Sequence, residues 1–288
     1  MSAVTMTRPT RRTGLFRRMG LGGRVALLIL VTLAIVAVVA PALLGDEAAS
    51  QDVANSFAPP SAEHPLGTDA LGRDVLSRTL VGTRLSLQLA LTSAAIAVGV
   101  AVPLGALFGM ARARTRKVGA SVIDVSLSLP DILIAVIVVT VLGPGGVGAA
   151  TAIGIAFIPY TARVVFVLSH HVASRDYVMV GRLLGLSRGK LLRAYVLPNI
   201  ADALAVALLT LLAECIVAVS ALSFLGLGVQ PPDIDWGSLL TEGVKEFYMS
   251  PAAALAPAAM IAVTGLALAL VADSVAQGMD PFQKRRTR

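Results

Sequence analysis

Charge is scarce in this chain, and so are the residues that build most catalytic and metal centres. Asp, Glu, Lys and Arg make up 14% of its 288 residues, well under the roughly 25% of soluble domains. Its one cysteine, Cys215, lies inside an apolar run. A lone cysteine closes no internal disulfide, so a stapled extracellular fold is excluded. The three histidines, His64, His170 and His171, show no metal-ligand spacing with Cys215, and no HExxH occurs. No apolar run carries a central His or Lys to activate a serine, which argues against an intramembrane protease. Aromatics amount to 5% and few stand among the basic clusters, so nucleic acid is not an expected partner. Gly185–Leu191 is one residue short of a nucleotide-binding loop, and Leu191 stands where Ser or Thr must meet magnesium. The expectation is a non-enzymatic chain that binds no metal or cofactor of its own.

What the chain has is apolar length, with 56% hydrophobic residues. Six runs approach the about 20 residues that cross a bilayer: 24–44, 84–109, 121–142, 147–169, 203–228 and 252–275. Ala40-Pro41-Ala42 is a weak cleavage signal, but the first run is long enough to remain as a span. One set of loops is rich in basic residues: Arg8 to Arg24, Arg112 to Lys117, Arg175 to Arg193 and Lys284 to Arg288. The other set is acidic, from Asp46 to Asp74 and from Asp233 to Glu246. The positive-inside rule then places both termini and the 173–199 stretch in the cytoplasm. The organisation expected is a basic tail (1–23), a first span (24–44), an extracytoplasmic segment (45–83), a core (84–280) and a second basic tail (281–288). His64–Asp74 reads as a turn leading through a short helix into the second span. Trp236 reads as an interfacial anchor. Gly105 and Gly109 form a GxxxG that would let two backbones approach. Pro103, Pro130 and Pro159 each interrupt a span, marking either a conduit or irregular packing.

The stretch 173–199 is polar, basic and punctuated. Asp176 is expected to cap a short helix over Tyr177–Leu184, with Gly185 ending it in the left-handed conformation. Ser187 is expected to cap a second helix that stops near Pro198. Tyr177, Val180 and Leu184 share one face, as do Leu191, Leu192, Tyr195 and Val196. Such a helix pair suits a groove on a soluble partner, or else lies flat on membrane lipid. Glu214, Asp131 and Arg163 are ionisable groups at membrane depth. They either line a polar path or pair with one another or with a neighbouring subunit. His170 and His171 read as interfacial, and His64 as structural.

The same stretch resembles the cytoplasmic EAA loop of ATP-binding-cassette (ABC) importer permeases, with Gly185 at its glycine, Tyr195 at its apolar position and Leu197-Pro198 at its close. His64–Arg78 (HPLGTDALGRDVLSR) and Leu222–Leu239 (LSFLGLGVQPPDIDWGSL) resemble signatures of the C-type permease of dipeptide, oligopeptide and nickel importers. Met179, Val180 and Gly181 occupy the family's Glu-Ala-Ala positions, so the glutamate is missing. The resemblance implies an all-α integral membrane protein with six transmembrane helices, the type I ABC importer permease fold, in a bacterial inner or plasma membrane. It implies an ATPase-coupling set of Asp176, Tyr177, Val180, Gly181, Leu184, Gly185, Leu197 and Pro198. It also implies a B-type permease partner, two ABC ATPase subunits that use ATP and magnesium, and an extracytoplasmic substrate-binding protein. From the residues alone, a stand-alone ion-coupled transporter and a membrane scaffold are the other readings. No residue pattern names the substrate.

Overall fold

A computed structural model describes residues 20–279 of the chain. The basic tail 281–288 and nearly all of the tail 1–23 lie outside the described residues. Helices dominate, and the only strand-like feature among the described residues is a bridge between Thr68 and Asp74.

Helix α1 (Leu21–Ala49) is followed by a connecting segment and then α2 (Val75–Gly109). Helices α3 (Ala113–Ser126) and α4 (Asp131–Leu142) meet at an 81° bend. Helix α5 (Gly146–Ala156) passes through Phe157 into α6 (Ile158–Ala173). The central stretch holds α7 (Asp176–Leu183) and α8 (Arg188–Leu191). Then come α9 (Leu197–Phe224), the short helix α10 (Trp236–Lys245) and α11 (Pro251–Met279). Five stretches are long and apolar enough to cross a membrane, and the bent pair α3–α4 makes six if it counts as one crossing.

Helix α2 departs from the expected layout. The turn at His64–Asp74 forms, but no separate short helix follows it. The Asp74 carboxylate accepts the Ser77 N–H at 2.7 Å and starts a single helix of 35 residues there. Satisfying one of the four open N–H groups at the helix start fixes this boundary. Pro103 does not interrupt that helix. Pro130 does separate α3 from α4, because the residue before a proline is pushed out of the helical region. Pro159 sits in the first turn of α6, where its missing N–H costs nothing.

Small residues bring the helices together. A Cβ on Gly105 would lie 2.6 Å from the Ala162 carbonyl, and one on Gly109 would lie 2.7 Å from that of Phe166. The GxxxG is therefore where α2 crosses α6 at backbone contact. Ala90, Ala97, Ala149 and Ala150 continue this packing into the main core, and the Ser93 hydroxyl donates to the Ala150 carbonyl at 2.9 Å.

Trp236 is fully buried, not interfacial. Its indole N–H donates to the Thr79 carbonyl at 3.1 Å and its backbone N–H to the Ser86 hydroxyl at 2.9 Å. Those two partners on α2 satisfy the polar atoms that would otherwise hold the ring at a wet boundary.

Candidate functional site

The central stretch folds as a short helix pair against the end of α2, the end of α6 and the start of α9. Val178 and Leu191 are buried with Met110, Val172, Val196 and Ile200 in one apolar cluster. Gly181 faces the same way, and a Cβ there would stand 3.0 Å from Leu191 Cδ2. Only a small residue lets α7 seat on α8 so closely.

The cap differs from expectation. Arg175, extended at φ −73° and ψ 146°, holds the N-cap position, and Asp176 is the first helical residue. The chain leaves α6 through Ser174 and turns one residue earlier than the polar pattern indicated, with Arg175 C=O accepting from Val178 and Met179 N–H. The Asp176 carboxylate still lies at the positive end of the helix.

The C-terminal turn forms as read. Gly185 has φ +79°. Its N–H donates to Arg182 C=O at 3.0 Å, and Leu186 N–H donates to Gly181 C=O at 3.1 Å. This is a Schellman closure, which satisfies two carbonyls at the helix end. Ser187 caps α8 through Lys190 N–H. The second helix does not stop at Pro198. The backbone widens into a π turn at Leu192–Val196, and Leu197 N–H donates to Leu192 C=O. Pro198 has no N–H to give and its ring crowds the preceding turn, so widening that turn lets the helix continue as α9. Leu197 and Pro198 thus belong to this joint.

An apolar ridge stands exposed on α7 beside Asp176 and Arg182. Val180 is 52% exposed, Leu183 82% and Leu184 76%. Tyr177 is half-covered by Tyr195, with ring centroids 6.3 Å apart. Leu183 was missing from the face read in the sequence, although its place three residues after Val180 is a helical signal. Met179, at the family's glutamate position, is also exposed.

The three membrane-depth charges do not form one cluster of ion pairs. Arg163 bonds Asp124 on α3 at 3.3 Å and lies 5.5 Å from the Phe166 ring centre. Neither Glu214 nor Asp131 forms an ion pair among the described residues. Glu214 lines a cleft of about 490 Å³ with Phe157, Thr210, Val217 and Gly265.

At the other end of the molecule Arg78 Nη1 donates to Asp69 at 2.6 Å and to Glu242 at 2.8 Å. Arg73 joins the same two carboxylates. Burial pushes the Asp69 carboxyl up, but the bonds from Arg73 prevail and hold it below its usual range. Burial pushes the Glu246 carboxyl up, against the Ala70 N–H that it accepts. His64 Nδ1 lies 3.0 Å from the Asp74 carboxylate.

Relatives align over most of the chain. The chain is 36% identical over 219 residues to the di/tripeptide transport system permease protein DppC of Pseudomonas aeruginosa, covering 76% of this chain and 72% of that protein. It is 30% identical over 260 residues to the dipeptide transport system permease protein DppC of Alkalihalophilus pseudofirmus, covering 90% and 86%. It is 33% identical over 225 residues to the glutathione transport system permease protein GsiD of Pectobacterium atrosepticum, covering 78% and 75%. These matches give no support to a stand-alone ion-coupled transporter. Residues 101–285 match the family described as the binding-protein-dependent transport system inner membrane component. With its apolar helices, the chain belongs to that family, as a multi-pass integral membrane permease component of an ABC importer.

Proposed function

We propose that this permease forms half of a translocation path for peptides or related small solutes, and that α7 is the lever through which partner ATPases move it. The exposed apolar ridge Val180–Leu183–Leu184, held on a lever that is closed by a glycine turn and seated on its own buried cluster, carries this reading. An apolar helix face standing out from the membrane frame costs free energy unless a groove receives it.

The partners in this reading are a B-type permease, two ABC ATPase subunits and an extracytoplasmic substrate-binding protein. ATP and magnesium act in the ATPases, and this chain holds no cofactor. Both termini and α7 face the cytoplasm, as the basic loops indicate. Nucleotide closes the ATPase dimer, the two levers move, and the permease pair switches as rigid bodies between inward-open and outward-open states. Shape alone carries the docking, because Met179 replaces the loop glutamate of the EAA pattern. Relatives named for dipeptides, di/tripeptides and glutathione favour short peptides as cargo over nickel chelates. Glu214 and Asp131 are the candidate polar lining of the path. Arg163 was grouped with them in the sequence and is instead engaged by Asp124.

Gly185 supplies the test. No neighbour lies within 4 Å of a Cβ built there, so a substitution acts through its backbone angle alone. Gly185→Val resists the left-handed conformation and should uncouple ATP hydrolysis from peptide uptake, with membrane insertion intact. Gly185→Asn tolerates that conformation and should retain most uptake. Equal uptake by the Val and Asn variants would refute the lever.

A further inference from the structure

We propose that the cup where α2 ends against the lever binds the phosphate headgroup of an anionic phospholipid. The cup holds about 270 Å³ and has an apolar floor of Met110, Ala111 and Leu191. Three arginines line it: Arg112 from the α2–α3 turn, Arg182 from α7 and Arg188 from the start of α8. No carboxylate lines the cup. The ion pairs found among the described residues engage other cations. Three like charges gathered around one concavity repel each other, and an anion held between them reverses the sign of that interaction.

Depth and shape select a lipid over a soluble anion. The cup opens beside Met110 and Ala111, directly after α2 and its apolar run end at Gly109. That is headgroup level for a helix that crosses the bilayer. The apolar floor suits the glycerol end of a lipid, which a free phosphate lacks. A second groove begins two residues further along the chain. Arg114 and Lys117 head it, and it continues over Val118, Val122 and Val125 on α3, with a volume of about 700 Å³. This separate groove sets a basic edge above an apolar helix face, the pattern of a segment at an anionic membrane surface. Each cation near such a surface favours an anionic lipid by roughly fivefold.

The position gives the lipid a consequence. Arg182 and Arg188 stand on either side of the Gly185 turn. A headgroup shared between them and Arg112 ties the lever to the end of α2. Binding does not depend on the transport reading, and only its effect on coupling rests on it.

The purified transporter complex, with its ATPases, tests this in detergent by thermal shift and native mass spectrometry. Phosphatidylglycerol should bind and raise the melting temperature, while phosphatidylcholine and inorganic phosphate should do neither. Arg112→Gln/Arg188→Gln should weaken phosphatidylglycerol at least tenfold, and Arg112→Lys/Arg188→Lys should keep most of the effect. If the double Gln variant fails to assemble, Arg188→Gln alone, at the exposed start of α8, should weaken phosphatidylglycerol roughly fivefold. An equal response to phosphatidylcholine would overturn the proposal. So would a response to inorganic phosphate alone, or undiminished phosphatidylglycerol binding in the Gln variants. Loss of the ATPase subunits from a Gln variant that still binds phosphatidylglycerol as the native chain does would assign the arginines to a protein partner instead.

Discussion

Arg78 and Glu242, 164 positions apart in the sequence, meet at 2.8 Å at the outer end of α2. Their contact joins the start of a 35-residue membrane helix to the outer helix α10. Arg78 is 5% exposed and Glu242 36%, so the two sides of the pair are not equivalent. Arg78→Met leaves Asp69 and Glu242 with Arg73 alone, and should cost about 3 kcal/mol. Glu242→Gln removes the more solvated partner while Asp69 still holds both arginines, and should cost about 1 kcal/mol or less. Thermal unfolding of the detergent-solubilised complex measures the difference.

The same network predicts a pH response. The Asp69 carboxyl is held below its ordinary value of 3.8 in the folded state, by Arg73 hydrogen bonds that outweigh burial. A carboxyl depressed on folding stabilises the protein above its unfolded pKa, and that contribution disappears as pH falls through the folded value. Melting temperature should therefore drop below about pH 4. Asp69→Asn should melt lower at neutral pH and show a shallower acid slope. An unchanged slope in that variant would remove Asp69 from the acid response.

Trp236 is the chain's single tryptophan, which makes its environment directly measurable. Full burial and an indole N–H donated to Thr79 predict blue-shifted emission. They also predict poor quenching by aqueous iodide and by brominated lipid alike. Trp236→Phe keeps most of the packing, leaves the Thr79 carbonyl without that donor, and should cost about 1–3 kcal/mol. Strong quenching by lipid would restore the interfacial anchor that the sequence alone suggested.

The contrast between Gly185 and Trp236 shows which features the sequence carries. Gly185 is followed two residues later by Ser187, and local chemistry settles both the left-handed turn and the next cap. The apolar spans are equally local, and so is the small-residue spacing of Gly105 and Gly109. Trp236 opens α10 and looks amphipathic by itself. What buries it is Thr79 and Ser86, about 150 residues away. The Arg78–Glu242 pair, and the Asp124 partner that takes Arg163 away from the other membrane-depth charges, are long-range in the same way. The π turn before Pro198 was hidden for another reason. Proline signals a conflict in the hydrogen-bond ladder, and whether the helix stops or widens depends on the packing of Val196 and Ile200.

The crossing of α2 and α6 should tolerate no added side chain. A Cβ at Gly105 would meet the Ala162 carbonyl at 2.6 Å and Phe166 N at 2.9 Å, both of them backbone atoms that cannot rotate away. Gly105→Val should cost about 3 kcal/mol or more through overpacking and helix separation. Gly99→Ala on the same helix, where nothing lies within 4 Å, should be nearly neutral. Comparable melting temperatures for the two variants would contradict the backbone contact.

Cysteine cross-linking from position 183 tests the lever most directly. Leu183 is the most exposed residue of the α7 ridge, and the native Cys215 is buried out of reach. Leu183→Cys should cross-link to a cysteine placed in the ATPase groove, with a yield that changes between nucleotide-free and ATP-bound states. The account is contradicted if that position is labelled only from the extracytoplasmic side, or if no cross-link forms while peptide uptake stays at the native rate.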